Sequence, residues 1–234
     1  MHLHVTGVRA DGMHLVDAEM VSLAFHDTLE FSNGSGLEVV GNSRVPTGDD
    51  NLVARALKLA GESAHVKITK RIPSGGGLGG GSSDAGAVLR WANFDDHVAA
   101  ATIGADVPFC IRGGRARVRG IGEIVEPLPY EKRVYTLLLP PFGVNTAAVY
   151  RAFDALDESH DISSPNHLES AAIHVEPRLT LWRHKFAEWT ASTPILAGSG
   201  STWFVEGSHE APAADELGPA RWIVAETVPP TKTI

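Results

Sequence analysis

Alternation of apolar and polar side chains recurs in short stretches along the chain. Leu3-His-Val5 reads as the tail of a strand with Leu3 and Val5 on one face. His65-Val-Lys-Ile-Thr-Lys70 reads as a half-buried strand. Arg115-Ala-Arg-Val-Arg119 and Gly122-Glu-Ile-Val125 predict a strand pair with an exposed arginine face. Val134 to Leu139 is a continuous apolar run, expected of a buried strand, and Trp222-Ile-Val-Ala225 predicts a last one. Leu15 to Phe31 carries apolar residues at mixed spacing, which predicts two short strands. Helical spacing appears from Asp49 to Ala60: Leu52, Ala56, Leu59 and Ala60 share one stripe, and Asp49 or Asp50 offers a cap. Thr6 to His14 is a turn-rich connection around Asp11-Gly12, and Asn33-Gly-Ser-Gly36 predicts a hairpin turn. Pro140 to Tyr150 predicts a loop entering a helix, capped by Asn145 or Thr146.

One stretch breaks every periodicity. Gly75 to Gly81 holds six glycines in seven positions, with Leu78 the exception. It lies between the predicted strand ending at Lys70 and a predicted helix introduced by Ser82, Ser83 and Asp84. A flexible linker would also be glycine-rich, but patterned flanks on both sides argue against it. Glycines in this setting fold their amides into a concave cradle, and a helix N-terminus adds the positive end of its dipole. Phosphate is the ligand such an arrangement favours. A Walker A loop requires Gly-Lys-Ser/Thr at its end, and Gly81 runs into Ser82 with no lysine. Gly75-x-Gly77-x-x-Gly80 satisfies the dinucleotide fingerprint, with Asp95 at the distance of a ribose-binding acid. That acid should close a second apolar strand, and the residues around Asp95 do not form one. The third pattern is the run from Pro73 to Ser83 taken whole.

Composition narrows the function classes. The chain has 234 residues, a net charge of −8 and 43% hydrophobic residues. The acidic total argues against nonspecific nucleic-acid binding, and no apolar run has membrane-spanning length. Cys110 is the single cysteine, which excludes an intrachain disulfide and fits a reducing cytoplasm. No pair among the eleven histidines has the spacing of a zinc helix.

The stretch Ile72 to Ala85 resembles the phosphate loop of the galactokinase, homoserine kinase, mevalonate kinase and phosphomevalonate kinase superfamily. Within it, the chain is most similar to the 4-diphosphocytidyl-2-C-methyl-D-erythritol kinase family. Further ordered motifs carry the resemblance: Gly7 to His14, Gly104-Ala-Asp-Val-Pro-Phe109, Pro140 to Tyr150, Asn166-His-Leu-Glu169 and Leu196 to Phe204. The last resembles the family's glycine turn between a helix and a strand. The likeness implies an α+β kinase of two domains, 1–130 and 131–234, joined near Pro127-Leu-Pro129, with the active site between them and a left-handed βαβ crossover in the first.

It also implies the chemistry: ATP-dependent phosphorylation of the 2-hydroxyl of 4-diphosphocytidyl-2-C-methyl-D-erythritol, in non-mevalonate isoprenoid precursor biosynthesis. The expected cofactors are ATP and Mg²⁺, and the expected partner is the small cytidylyl substrate alone, with no nucleic acid or membrane, in a monomer or homodimer. Asp106 would be the catalytic base and would also touch the substrate. Pro73, Gly75, Gly76, Gly77, Leu78, Gly79, Gly80, Gly81, Ser82 and Ser83 would hold ATP, with Ser82 or Ser83 near Mg²⁺. Asn51 would lie near the adenine, and Lys70 would meet nucleotide phosphates, unless it is an exposed charge at a strand end. His14 would hold the cytosine.

Several positions depart from the family pattern. Met13 stands where the family has a tyrosine against the cytosine, and His167 where it has an aspartate. The stretch of helix before Thr102 is shorter. The family's Lys-x-Asn segment precedes the opening strand, whereas this chain opens at Met1 inside it. The expectation is that the upstream reading frame encodes such a segment. Two alternatives stay open: a catalytically impaired nucleotide-binding relative, and a dinucleotide-dependent oxidoreductase resting on Gly75-x-Gly77-x-x-Gly80.

Overall fold

The computed structural model describes residues 1–41, 45–156 and 164–231. They build a mixed fold of helices and strands, divided into two compact units that each hold both. One unit gathers Met1–Val5, Gly75–Leu78 and Glu131–Thr227. The other gathers Thr6–Ser74, Gly79–Tyr130 and the chain from Val228 onward. The glycine run is thus shared between them, and the units do not follow two halves of the sequence.

The unit that holds Thr6–Ser74 contains two sheets. Strands β1 (Leu3–Val8, whose first three residues are counted with the other unit), β2 (His14–Val21), β6 (Arg115–Gly120) and β7 (Ile124–Pro127) lie in the order β1-β2-β6-β7. The turn between β1 and β2 is tighter than the sequence predicts. Only Arg9 to Met13 is outside the strands, closed by Arg9 N donating to Met13 O at 2.8 Å. Arg115, Arg117 and Arg119 of β6 are paired with Glu19, Asp17 and Glu126 in turn, and Arg115 is mostly covered, so this face is less exposed than its composition suggests.

The second sheet has β3 (Thr28–Ser32), β4 (Gly36–Val40) and β5 (His65–Thr69) in the order β3-β5-β4. Here the structure corrects the expected hairpin at Asn33–Gly36. β5 lies between β3 and β4, antiparallel to the first and parallel to the second. The reason is burial: Val66 and Ile68 of β5 are fully buried, whereas β3 and β4 expose alternate residues, so β5 takes the centre.

Helices α1 (Leu52–Ala60), α2 (Gly80–Trp91), α3 (His97–Ala101) and α4 (Val107–Arg112) complete this unit. The cap of α1 is Asn51 rather than Asp49 or Asp50. Asn51 is extended, and its side chain accepts from Val53 N at 2.8 Å, which leaves the two aspartates in the turn ahead. Gly61, in the left-handed region at φ 70°, ends the helix. Val53, Ala56 and Leu57 of α1 pack with Ala85, Val88 and Leu89 of α2, Val66 and Ile68 of β5, and Val107 and Ile111 of α4. Each fully buried Leu, Ile or Val contributes about 1.5–3 kcal/mol, so this core fixes α2 firmly behind the glycine run.

The other unit is organised on β8 (Val134–Leu139), flanked by β11 (Arg221–Glu226) and β10 (Trp203–Glu206), with β9 (Ile195–Leu196) beyond β10. All three pairings are antiparallel. β8 is almost entirely buried, as its apolar run predicts. Helices α5 (Thr146–Ala155), α6 (Glu169–Val175) and α7 (Arg178–Thr190), with the short α8 (Ala214–Leu217), belong to this unit. Val149, Phe153, Leu168, Leu179 and Phe186 form its core with Leu138 and Trp203. Asn145 caps α5 through Ala148 N at 2.9 Å, as expected. The opening residues add to it: Leu3 N donates to Pro165 O, His167 N donates to Leu3 O, and Leu3 and Val5 pack on the core.

Candidate active site

The glycine run reads differently on its two sides. Gly75 O accepts from Val144 N at 2.9 Å and from Ser201 N at 3.0 Å, and Gly76 O accepts from Thr202 N at 3.1 Å. A Cβ on Gly77 would stand 1.9 Å from Ala197 O, an overlap with main chain that no side-chain motion relieves. Glycine is needed there because one backbone passes directly against another. The loop it meets, Ala197 to Thr202, joins β9 to β10 rather than a helix to a strand, because Ile195 and Leu196 pair with Phe204 and Trp203. Asn166 holds this loop. Its Nδ2 donates to Leu196 O at 2.9 Å and to Gly198 O at 2.7 Å, while Oδ1 accepts from Leu168 N.

Gly79 is required for another reason. It caps α2 in the left-handed conformation, φ 62° and ψ 24°, which costs a residue with a side chain free energy. The helix begins at Gly80, one turn earlier than Ser82, Ser83 and Asp84 suggest. The first intrahelical bond runs from Ser83 N to Gly79 O at 2.7 Å, so the amides of Gly80, Gly81 and Ser82 precede the ladder. Three N–H groups and the positive end of the dipole are therefore available to an anion. Ser83 Oγ donates back to Gly80 O at 3.0 Å, whereas Ser82 Oγ makes no hydrogen bond among the described residues. Ser82 Oγ lies 3.6 Å from the position a Cβ of Gly104 would take, which places the α2 start beside the Gly104–Asp106 turn.

Asp106 stands in that turn, immediately before α4. Its carboxylate does not cap the helix, and the nearest atom to a Cβ built on Gly79 is Asp106 Oδ2, at 3.6 Å. Burial pushes the carboxyl above the ordinary aspartate range. A carboxylate raised toward neutrality is a better proton acceptor than a solvated one. A residue the sequence reading passed over positions it: a Cβ on Gly122, in the β6–β7 turn, would stand 1.9 Å from Ala105 O, so that turn braces the backbone just ahead of Asp106.

Behind α2 lies a buried charge cluster. Lys70 Nζ donates to Asp84 Oδ2 at 2.8 Å and to Asp27 Oδ2. The other oxygen of Asp27 accepts from Arg71 N and from Ile72 N, the latter at 2.9 Å. Lys70 is thus not an exposed strand-end charge, since its side chain is 5% exposed. Burial pushes the Asp84 carboxyl up to about 6 against the opposing pull of Lys70. Breaking such a buried pair on one side costs about 3–5 kcal/mol. Asp27 and Asp84 carried no sequence signal beyond turn and helix-start chemistry.

Comparison with known proteins gives these features a family. Residues 51–114 match the family model described as the GHMP kinases N terminal domain. The 4-diphosphocytidyl-2-C-methyl-D-erythritol kinase of Paracoccus denitrificans (strain Pd 1222) is 33% identical over 258 aligned positions, covering 98% of this chain and 94% of its own. The enzyme of the same name from Pelotomaculum thermopropionicum (strain DSM 13744 / JCM 10971 / SI) is 37% identical, covering 86% and 84%. A crystal structure of 4-(cytidine 5'-diphospho)-2C-methyl-D-erythritol kinase superposes with a TM-score of 0.71 at 31% identity, over 97% of this chain and 96% of that one. The chain belongs to the 4-diphosphocytidyl-2-C-methyl-D-erythritol kinase family.

It is accordingly an ATP-dependent small-molecule kinase of the GHMP superfamily, with that superfamily's α+β fold. The dinucleotide reading of Gly75-x-Gly77-x-x-Gly80 does not hold, because Asp95 lies between α2 and α3 and closes no strand. For this kinase family member, the unused amides of Gly80, Gly81 and Ser82 fit a polyphosphate. Among the described residues no three His, Cys, Asp or Glu side chains come together as a metal site. Gly79, Ser82, Gly104 and Asp106 are brought together, and Leu52 Cδ1, next to Asn51, lies 3.5 Å from a Cβ built on Gly81. Asn51 itself is committed to the chain, with Oδ1 on Val53 N and Nδ2 on Pro46 O at 2.7 Å. Met13 ends the β1–β2 turn and His14 opens β2, outside that group, Met13 exposed and His14 half-buried.

Proposed function

We propose that the chain transfers the γ-phosphoryl group of ATP to the 2-hydroxyl of 4-diphosphocytidyl-2-C-methyl-D-erythritol, a step of non-mevalonate isoprenoid precursor biosynthesis. The observation that carries the reading is the Asp106 carboxylate beside Gly79, where three unused amides open α2. Phosphoryl transfer depends mainly on positioning and on neutralising charge. The backbone from Gly75 to Ser83, entered through Pro73, lines the phosphates, and Ser82 Oγ remains available to them. Asp106, raised by burial, takes the hydroxyl proton at its carboxylate as the oxygen attacks. Mg²⁺ would supply charge neutralisation at the phosphates, and Ser82, whose Oγ makes no hydrogen bond among the described residues, would be nearer to it than the already bonded Ser83. Asn51 keeps one amide N–H for the adenine side. Lys70 contributes charge from behind α2. His14 reads the cytosine, with the Met13 thioether over a ring face in place of an aromatic side chain.

A coupled assay of ADP release tests this directly. ADP production that requires the cytidylyl substrate supports the reading. Nucleotide binding with no substrate-dependent release would instead favour an impaired nucleotide-binding relative.

A further inference from the structure

The two outer side chains of the Asn166-His-Leu-Glu169 motif converge on one short segment of the chain. Asn166 is 2% exposed, and its Nδ2 donates to Leu196 O at 2.9 Å and to Gly198 O at 2.7 Å. Its Oδ1 accepts from Leu168 N at 2.9 Å, which fixes the orientation of the amide. Glu169 takes the other side of Leu196. Its carboxylate accepts from the Leu196 N–H and is oriented by Arg183, whose Nε lies 3.1 Å from Oε1. The carbonyls on both sides of Ala197 are thereby held, and Ala197 O is the atom that a Cβ on Gly77 would strike. Gly198 and Gly200 adopt positive φ, 53° and 88°, which glycine permits but does not enforce. The far half of the turn is tied separately, by Ser199 Oγ with Thr146 Oγ1 at 2.8 Å and by Ser201 Oγ donating to Phe142 O.

We infer that Asn166 and Glu169 are positioning residues for the nucleotide, acting through the turn at 197–202 on the backbone of residues 75–77. The inference rests on the phosphate reading of the glycine run and adds to it the side chains that set its shape. Gly75 O and Gly76 O accept from Ser201 N and Thr202 N, and Gly77 rests against Ala197 O. Three successive glycines therefore take their orientation from the turn. A glycine run has no side chains of its own to define its path, so neighbouring main chain must impose it. Here that main chain is fixed by a buried amide and a carboxylate. Carbonyls deprived of a buried donor reorient to recover one, because an unpaired polar group is costly away from water. A resulting misplacement of about 1 Å in a binding cradle can cost up to about 10²-fold. A clamp with a purely structural role would lower the melting temperature and leave ligand affinity in the folded protein unchanged.

Calorimetry on the full chain tests this, with a non-hydrolysable ATP analogue plus Mg²⁺ in one titration and the cytidylyl substrate in another. Asn166→Asp keeps the size of the side chain and the acceptor for Leu168 N, but it cannot donate to both carbonyls of the turn. In the folded variant, affinity for the analogue should fall about tenfold or more, while affinity for the cytidylyl substrate stays within about threefold. Glu169→Gln retains an acceptor for the Leu196 N–H and should bind the analogue within about threefold of the parent. Glu169→Ala has none and should lose about fivefold, the scale of one hydrogen bond. Unchanged analogue affinity in folded Asn166→Asp overturns the inference while leaving the phosphate reading intact. An equal loss of both ligands also overturns it, since that marks general loosening. If Asn166→Asp does not fold, the Glu169 pair decides, and equal analogue affinities in the two variants reject the assignment. Failure of the unmodified chain to bind the analogue at all overturns the phosphate reading and the inference together.

Discussion

Gly75–Leu78 and Gly79–Gly81 are consecutive stretches of one glycine run, and they use the same residue for different ends. On the first stretch a Cβ at Gly77 collides with the main chain of Ala197 at 1.9 Å. On the second, a Cβ at Gly79 meets nothing closer than Asp106 Oδ2 at 3.6 Å, and glycine is selected by the left-handed turn that starts α2. The first stretch is bound into the unit built on β8, through Val144, Ser201 and Thr202. The second leaves its amides unused and faces the candidate base. A glycine-rich phosphate loop is therefore partly a packing device. Room for the ligand explains only some of its glycines.

Substitution at Gly77 should have the largest effect. Gly77→Ala places a side chain on main-chain atoms at φ 72°, and it should destabilise the fold by about 3 kcal/mol or more, read by urea denaturation. Stability within about 0.5 kcal/mol of the parent would remove the distinction between the two stretches. Asp106→Asn should next act on the second stretch alone. Turnover should fall by about 10² or more with ATP affinity nearly unchanged, since the cradle is backbone. The smallest effect concerns pH. The folded-state pKa of Asp84, pushed up to about 6 from 3.8, means that its contribution to stability is full below about pH 4 and is lost as pH rises through about 6. Asp84→Asn should therefore gain stability relative to the parent between those values, measured by denaturation at both ends. A parallel pH dependence in the two proteins would contradict the assignment.

Much of the architecture was legible because local pattern and tertiary role agreed. β5, β8 and the β6–β7 pair follow their alternation or apolar runs, and a helix follows the glycine run as expected, although it starts within the run at Gly80. The failures are non-local. The turn at Asn33–Gly36 has hairpin chemistry, but nothing near it shows that β5, some thirty residues on, will occupy the space between β3 and β4. Asp49, Asp50 and Asn51 are all good caps, and only the backbone path selects Asn51. Within the site, Asp106 and the glycines were visible through their motifs. Lys70, Asp27 and Asp84 are far apart in sequence and ordinary in type, so their shared burial could not be read. Gly122 lacked any signal beyond a Gly-x-Gly turn, although it braces Asp106.

The most direct test of the two-part loop is thermal melting of Gly79→Val with and without ATP and Mg²⁺. A β-branched residue disfavours the left-handed cap and fills the space beside Asp106, but it overlaps no main chain. The account predicts a cooperative transition within a few degrees of the parent, lowered by strain of about 1–2 kcal/mol, and no upward shift on adding ATP. A variant that still melts higher with ATP, by as much as the parent does, would contradict it.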